Sequence, residues 1–144
     1  MRKVPGYERL RVGDVDDLRE ADLSEIDFIV NLSSSCSREM ARDRNYCHFY
    51  IEDAEQVERI NYPNFKSITK LVIQRLEDNP DETVLVNCGV GISRSVTIAS
   101  TVAAWQTART LESVIDLVRK DRIRPSPALV EYGHKFINEK KEAQ

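Results

Sequence analysis

Val84-Leu85-Val86-Asn87-Cys88-Gly89-Val90-Gly91-Ile92-Ser93-Arg94-Ser95-Val96-Thr97-Ile98 reads as a short apolar strand, a glycine-containing loop and the start of a helix. The loop opens on cysteine and closes on arginine. Such a loop suits a tetrahedral oxyanion: backbone N–H groups of the loop and first helical turn converge on one point. The helix dipole favours negative charge there, and a guanidinium forks onto two oxygens. The same donors stabilise a thiolate at Cys88, which makes it nucleophilic near neutral pH. The implied chemistry is attack of sulfur on phosphorus. Gly89 and Gly91 allow the backbone to approach a ligand closely. Val90, Ile92 and Ser93 complete the candidate binding loop.

Five residues separate Cys88 from Arg94, and Ser95 follows directly. This spacing resembles the signature of the cysteine-dependent protein phosphatases, and the string Cys-Gly-Val-Gly-Ile-Ser-Arg-Ser is most similar to the dual-specificity branch. Tyr7–Gly13 resembles that family's opening strand and Ile26–Leu32 its second. Arg124-Pro125-Ser126-Pro127 resembles the turn before its last helix. The likeness thus spans roughly residues 7 to 140. It implies an α/β fold with a small central sheet flanked by helices, the phosphate-binding loop lying between a strand and the central helix. The implied activity is hydrolysis of phosphotyrosine and/or phosphoserine/threonine in proteins through a cysteinyl-phosphate intermediate. No cofactor or metal is implied. The expected partners are a phosphorylated protein or peptide and phosphate-like oxyanions in the loop.

Phosphoester cleavage also needs a group to protonate the leaving oxygen, and a carboxylic acid serves, later activating water as carboxylate. The resemblance implies an aspartate on a loop some thirty to forty residues before the cysteine. Asp53 stands 35 residues upstream of Cys88, at the end of the segment Cys47–Asp53, which reads as an extended stretch. It is the candidate acid, with Glu52 and Glu55 as competitors; a solvated loop charge is the plain alternative for any of them. For Ser95 two roles stand side by side: donation to the cysteine sulfur, and capping of the helix start.

Two positions depart from the family pattern. Asn87 stands where histidine usually precedes the cysteine, and Asn cannot become cationic; a less readily ionised Cys88 is the expectation. Ala128 follows Pro127 where many relatives carry asparagine.

Composition sets the outer bounds. The 144 residues fit one domain, 1–144, with a single core, and 41% hydrophobic with 31% charged residues is ordinary for a soluble globular chain. No apolar stretch is long enough to cross a bilayer, and Met1–Gly6 has no signal-peptide core. Three irregularly spaced cysteines suggest no disulfide framework, which points to a reducing, cytoplasmic setting. The net charge of −3 argues against nucleic acid as a partner.

Alternating elements point to an α/β domain. Strands are expected near 9–12, 26–32, 46–51 and 83–87, with short helices at 15–22 and 37–43. Helices are expected over 61–77, begun by Pro63 and stopped by Asn79-Pro80, and over 95–108 as the buried central helix. Another follows a Thr110 cap with Leu111, Val114, Ile115 and Val118 inward. Ser126 and Pro127 are expected to cap and start the last, which turns Leu129, Val130, Gly133, Phe136 and Ile137 to the core. Trp105 reads as core, and His48 and His134 as structural or exposed. Cys36 and Cys47 admit two readings: small buried hydrophobes, or a disulfide partner for Cys88.

Apolar Val90 and Ile92 suit a monophosphate ester better than a polyphosphorylated head group. Two further readings remain open: a phosphoresidue-binding pseudophosphatase, and a phosphatase for a non-protein phosphate such as an RNA 5′ end.

Overall fold

Phe28–Asn31 and Val84–Asn87 are buried at every position, as strands covered on both faces must be. In the computed structural model, which describes residues 1–13, 24–33, 45–48, 62–88, 93–119 and 124–144, they pair at the centre of a five-stranded sheet. The strands are β1 (Arg2–Val4), β2 (Tyr7–Gly13), β3 (Phe28–Asn31), β4 (Asn45–His48) and β5 (Val84–Asn87), in the order β1-β2-β5-β3-β4. β1 runs antiparallel to β2; the other neighbours are parallel. The sequence pattern predicts no strand over Arg2–Val4, where only Val4 is fully buried and no alternation marks the segment.

Side chains alternate across the sheet. Phe28, Val30, Val84 and Val86 join the main core, whereas Ile29 and Leu85 form a smaller cluster with Ile26 on the opposite face, bordered by Met1 and Tyr46. The helices α1 (Tyr62–Asp78), α2 (Ser93–Thr107), α3 (Leu111–Arg119) and α4 (Pro127–Glu142) all feed the main core. α2 is the central one. Residues 94 to 104 are buried without interruption, and the helix packs on β1, β2 and β5 as well as on the other three helices. That accounts for its lack of a polar face.

Helix ends follow local chemistry. Pro63 occupies the first turn of α1, and the Asn79 amide donates to the Arg75 carbonyl, 3.0 Å, at its end. Arg9 reaches from β2 to the C-terminal end of the same helix, donating to the Leu76 carbonyl at 2.8 Å and to that of Asn79, just past the helix, at 2.9 Å. Thr110 Oγ1 accepts from the Ser113 N–H at 3.3 Å, the expected cap of α3. Ser126 sits at the N-cap position of α4 but makes no side-chain capping bond; Pro127 alone marks that start. Ala108 ends α2 in the left-handed region, φ 56°.

Close packing decides the last helix. A Cβ on Gly133 would lie 2.7 Å from both Thr101 Oγ1 and Leu111 Cδ2, so α4 meets α2 and α3 at a distance only glycine permits. Val130, Ile137 and Trp105 are only partly buried against the core rather than enclosed in it, and Lys140 Nζ lies 5.2 Å from the Trp105 ring centre. Tyr132, by contrast, is buried. The expected short helices at 15–22 and 37–43 lie outside the described residues.

Candidate active site

The parallel strands end level with one another. Gly13 of β2, Asn31 of β3 and Asn87 of β5 stand in one register row at their carboxyl ends, where open α/β sheets carry ligands. Cys88 is the first residue past that row, and α2 starts five residues later. The peptide joining Asn87 to Cys88 is gripped from both sides. Cys88 N–H donates to the Gly13 carbonyl at 3.2 Å, and the Asn87 carbonyl accepts from Leu32 N–H at 2.8 Å.

The same two flanking residues also receive the side chains that α2 sends to this edge. The Ser95 hydroxyl lies 3.4 Å from the Gly13 carbonyl, and Arg94 Nη1 donates to the Leu32 carbonyl at 3.3 Å. Cys88 Sγ and Ser95 Oγ are 3.2 Å apart. A hydroxyl has one proton to give: beside a thiol it can donate to Gly13 and accept from S–H, and beside a thiolate it turns to the sulfur. Ser95 is the third residue of α2, so its place is at the sulfur and not at the N-cap.

Cys88 and Ser95 have no solvent exposure, and Arg94 has 8%. A buried cation within the first turn of a helix adds to the positive end of the dipole, and both favour an anion at this edge. Of the sequence-predicted site residues the structure thus brings Cys88, Arg94 and Ser95 together. Ser93 opens α2; Gly89, Val90, Gly91, Ile92 and Asp53 lie outside the described residues.

Sequence reasoning missed the supports. Gly13 carried no signal, because its contribution is a carbonyl. Asn31 did carry one: a polar residue closing the fully buried run Phe28-Ile29-Val30. It is 2% exposed, and its carboxamide oxygen accepts from Asn87 Nδ2 at 3.0 Å.

Cys47 and Cys88 are free thiols. Burial pushes the Cys47 thiol up, away from the thiolate. Cys47 is level with Val30, and Val30 with Val86, so two strand spacings of roughly 9–10 Å in all separate Cys47 from β5. A disulfide spans at most about 7 Å between Cα atoms. Cys47 therefore belongs to the packing reading, while Cys36 lies outside the described residues. His48, exposed, places Nε2 at 2.5 Å from the Ser33 carbonyl. Among the described residues no group of three or more His, Cys, Asp or Glu could hold a metal ion, and no helix is long and apolar enough to cross a membrane.

The dual specificity phosphatase catalytic domain matches residues 13–137. The chain belongs to this family. No curated protein sequence gives a significant match, whereas solved structures resemble the fold. The phosphatase domain of Yvh1 from Chaetomium thermophilum superposes with a TM-score of 0.77 at 19% identity, over 99% of this chain and 98% of the other. DUSP15 gives 0.70 at 23% identity, covering 100% and 96%. Human DUSP28 gives 0.70 at 13% identity, covering 94% and 96%. At such identities the likeness establishes the fold alone. In this member of the dual specificity phosphatase family, Cys88, Arg94 and Ser95 occupy the edge where β5 hands over to α2.

Proposed function

We propose that this chain is an active phosphatase that dephosphorylates phosphotyrosine and/or phosphoserine/threonine in proteins. The observation that carries the reading is the convergence of Cys88, Arg94 and Ser95 on one sheet edge, each tied to the backbone of Gly13 or Leu32. The Cys88 thiolate attacks phosphorus while Arg94 and the loop amides of 89–93 hold the phosphoryl oxygens. The bond from phosphorus to the leaving oxygen breaks, and the Asp53 carboxyl gives that oxygen its proton. Asp53, now a carboxylate, takes a proton from water, whose oxygen attacks phosphorus as the S–P bond breaks. Ser95 donates to the sulfur as it leaves.

Complete burial of Cys88 is the observation that favours the second reading, a phosphoresidue-binding module without turnover. Hydrolysis of para-nitrophenyl phosphate and of a phosphopeptide panel separates the two. Expected is turnover that falls by at least about 10⁴-fold in Cys88→Ser with phosphopeptide binding retained. Arg94→Ala should lose both binding and turnover, since its contacts serve ground and transition states alike. A wild-type chain that binds phosphopeptide and hydrolyses none of the panel would establish the second reading.

A further inference from the structure

Asn87 and Cys88 are adjacent on an extended chain and so face opposite sides of the sheet. The sulfur belongs to the main core under the helices; the Asn87 carboxamide lies on the other side, with Ile29, Leu85 and Tyr46. There Asn31 is the hub of a buried polar group. Its Oδ1 receives Asn87 Nδ2 at 3.0 Å, Ser33 N–H at 3.0 Å and the Ser33 hydroxyl at 2.7 Å, and its Nδ2 donates to the Tyr46 hydroxyl at 2.7 Å. Asn87 Oδ1 is buried and has no hydrogen-bond partner among the described residues. Among the described residues, the orientation of the Asn87 carboxamide therefore rests on its one side-chain bond to Asn31.

We propose that Asn31 is a positioning residue for the nucleophile, acting through Asn87 on the far face of the sheet; this rests on the phosphatase reading of Cys88. The physical route is short. Asn31 and Asn87 are register partners, so their side-chain bridge adds a transverse tie next to the Leu32–Asn87 backbone bond. Together they fix the peptide plane from which Cys88 departs. Without the bridge, two fully desolvated carboxamides lose their mutual bond and the strand end must shift to recover partners. A displacement of about 1 Å at a nucleophile costs up to about 100-fold in rate. Among the described residues, the charged and titratable groups near this edge are Arg94 from α2, Tyr46 and His48 from β4, and Cys88 itself, and the bridge adds none.

Three variants test this. Asn31→Leu removes the bridge at similar volume; Asn31→Asp keeps an acceptor for Asn87 and Ser33 and a partner for Tyr46; Asn87→Ala removes the bridge from the other end. Expected is a fall in kcat of about 10- to 100-fold for Asn31→Leu and Asn87→Ala, with KM for para-nitrophenyl phosphate within about threefold. Asn31→Asp should restore kcat to within about fivefold, and Asn31→Leu with Asn87→Ala should lose no more than either alone. Alkylation of Cys88 by iodoacetamide, followed by peptide mapping, should change in the same order. If the wild-type chain proves inactive but alkylation still follows that order, the positioning role stands and the phosphatase reading fails. Asn87→Ala that keeps kcat and alkylation within about twofold of wild type, or losses that add in the double variant, would overturn the proposal. Should Asn31→Leu not fold, Asn87→Ala decides alone.

Discussion

Cys88 Sγ and Ser95 Oγ stand 3.2 Å apart, both sealed from solvent, with the Gly13 carbonyl 3.4 Å from the same hydroxyl. Among the described residues the serine thus has both the sulfur and the Gly13 carbonyl within reach of one proton, and the charge on sulfur decides between these two. In the proposed mechanism the hydroxyl does most when sulfur leaves phosphorus as a thiolate. Ser95→Ala is accordingly expected to slow the second step more than the first. Steady-state kcat should fall by about 10- to 100-fold, preceded by a burst of para-nitrophenol. Rapid-mixing absorbance measures it; a loss of that size with no burst would move the role of Ser95 to the first step.

Leaving-group chemistry tests Asp53. Asp53→Asn should lower kcat by about 100-fold or more for alkyl phosphates and far less for aryl esters whose phenol is already acidic. A series of aryl phosphates provides the measurement. Equal losses along the series would exclude Asp53 as the acid.

Two substitutions on the helical layer should act with opposite signs. Gly133→Ala drives a methyl to within 2.7 Å of Thr101 and Leu111, at the junction of three helices. Overpacking there should cost about 1–3 kcal/mol, read as a lower urea midpoint with an unchanged m-value. Ala108 carries a positive φ at the end of α2, so Ala108→Gly removes a steric cost and should raise stability by about 0.5–1 kcal/mol. A stabilising Gly133→Ala would mean that α4 can retreat from α2 and α3 at little cost.

The contact between α1 and α4 should respond to pH at both extremes. The Tyr62 hydroxyl donates to the Glu139 carboxylate, and Lys66 Nζ lies 3.8 Å from it. The bond from Tyr62, foremost, holds the Glu139 carboxyl below its usual range, while burial and then that bond push the Tyr62 phenol up. A lowered carboxyl contributes stability above the ordinary glutamate value and loses it as pH falls through the folded value. A raised phenol contributes below the ordinary tyrosine value and loses it as pH rises through the folded one. The stability difference between wild type and Tyr62→Phe should therefore be largest between about pH 5 and about pH 9 and shrink on either side. Urea unfolding across that range checks it; a difference constant from about pH 3 to about pH 7 would exclude the linkage.

Local sequence determined much of this protein. The apolar runs of β3 and β5, the Thr110 cap, the Pro63 and Pro127 starts and the helical stripe of α3 are each decided by residues within a turn or two of one another. The spacing from Cys88 to Arg94 to Ser95 marked the candidate site by the same logic, because a strand, a short loop and a helix N-terminus are one continuous segment. The tertiary structure alone decided what holds that segment in place. Gly13 ends β2 and Leu32 directly follows β3, and they act through backbone groups that nearly every residue type carries. Asn31 meets Asn87 across 56 positions of chain, and Gly133 is required by two side chains on different helices. Such contacts depend on strand register and on how closely helices approach, so a local signal such as polar Asn31 at the end of its apolar run does not say which residue it meets.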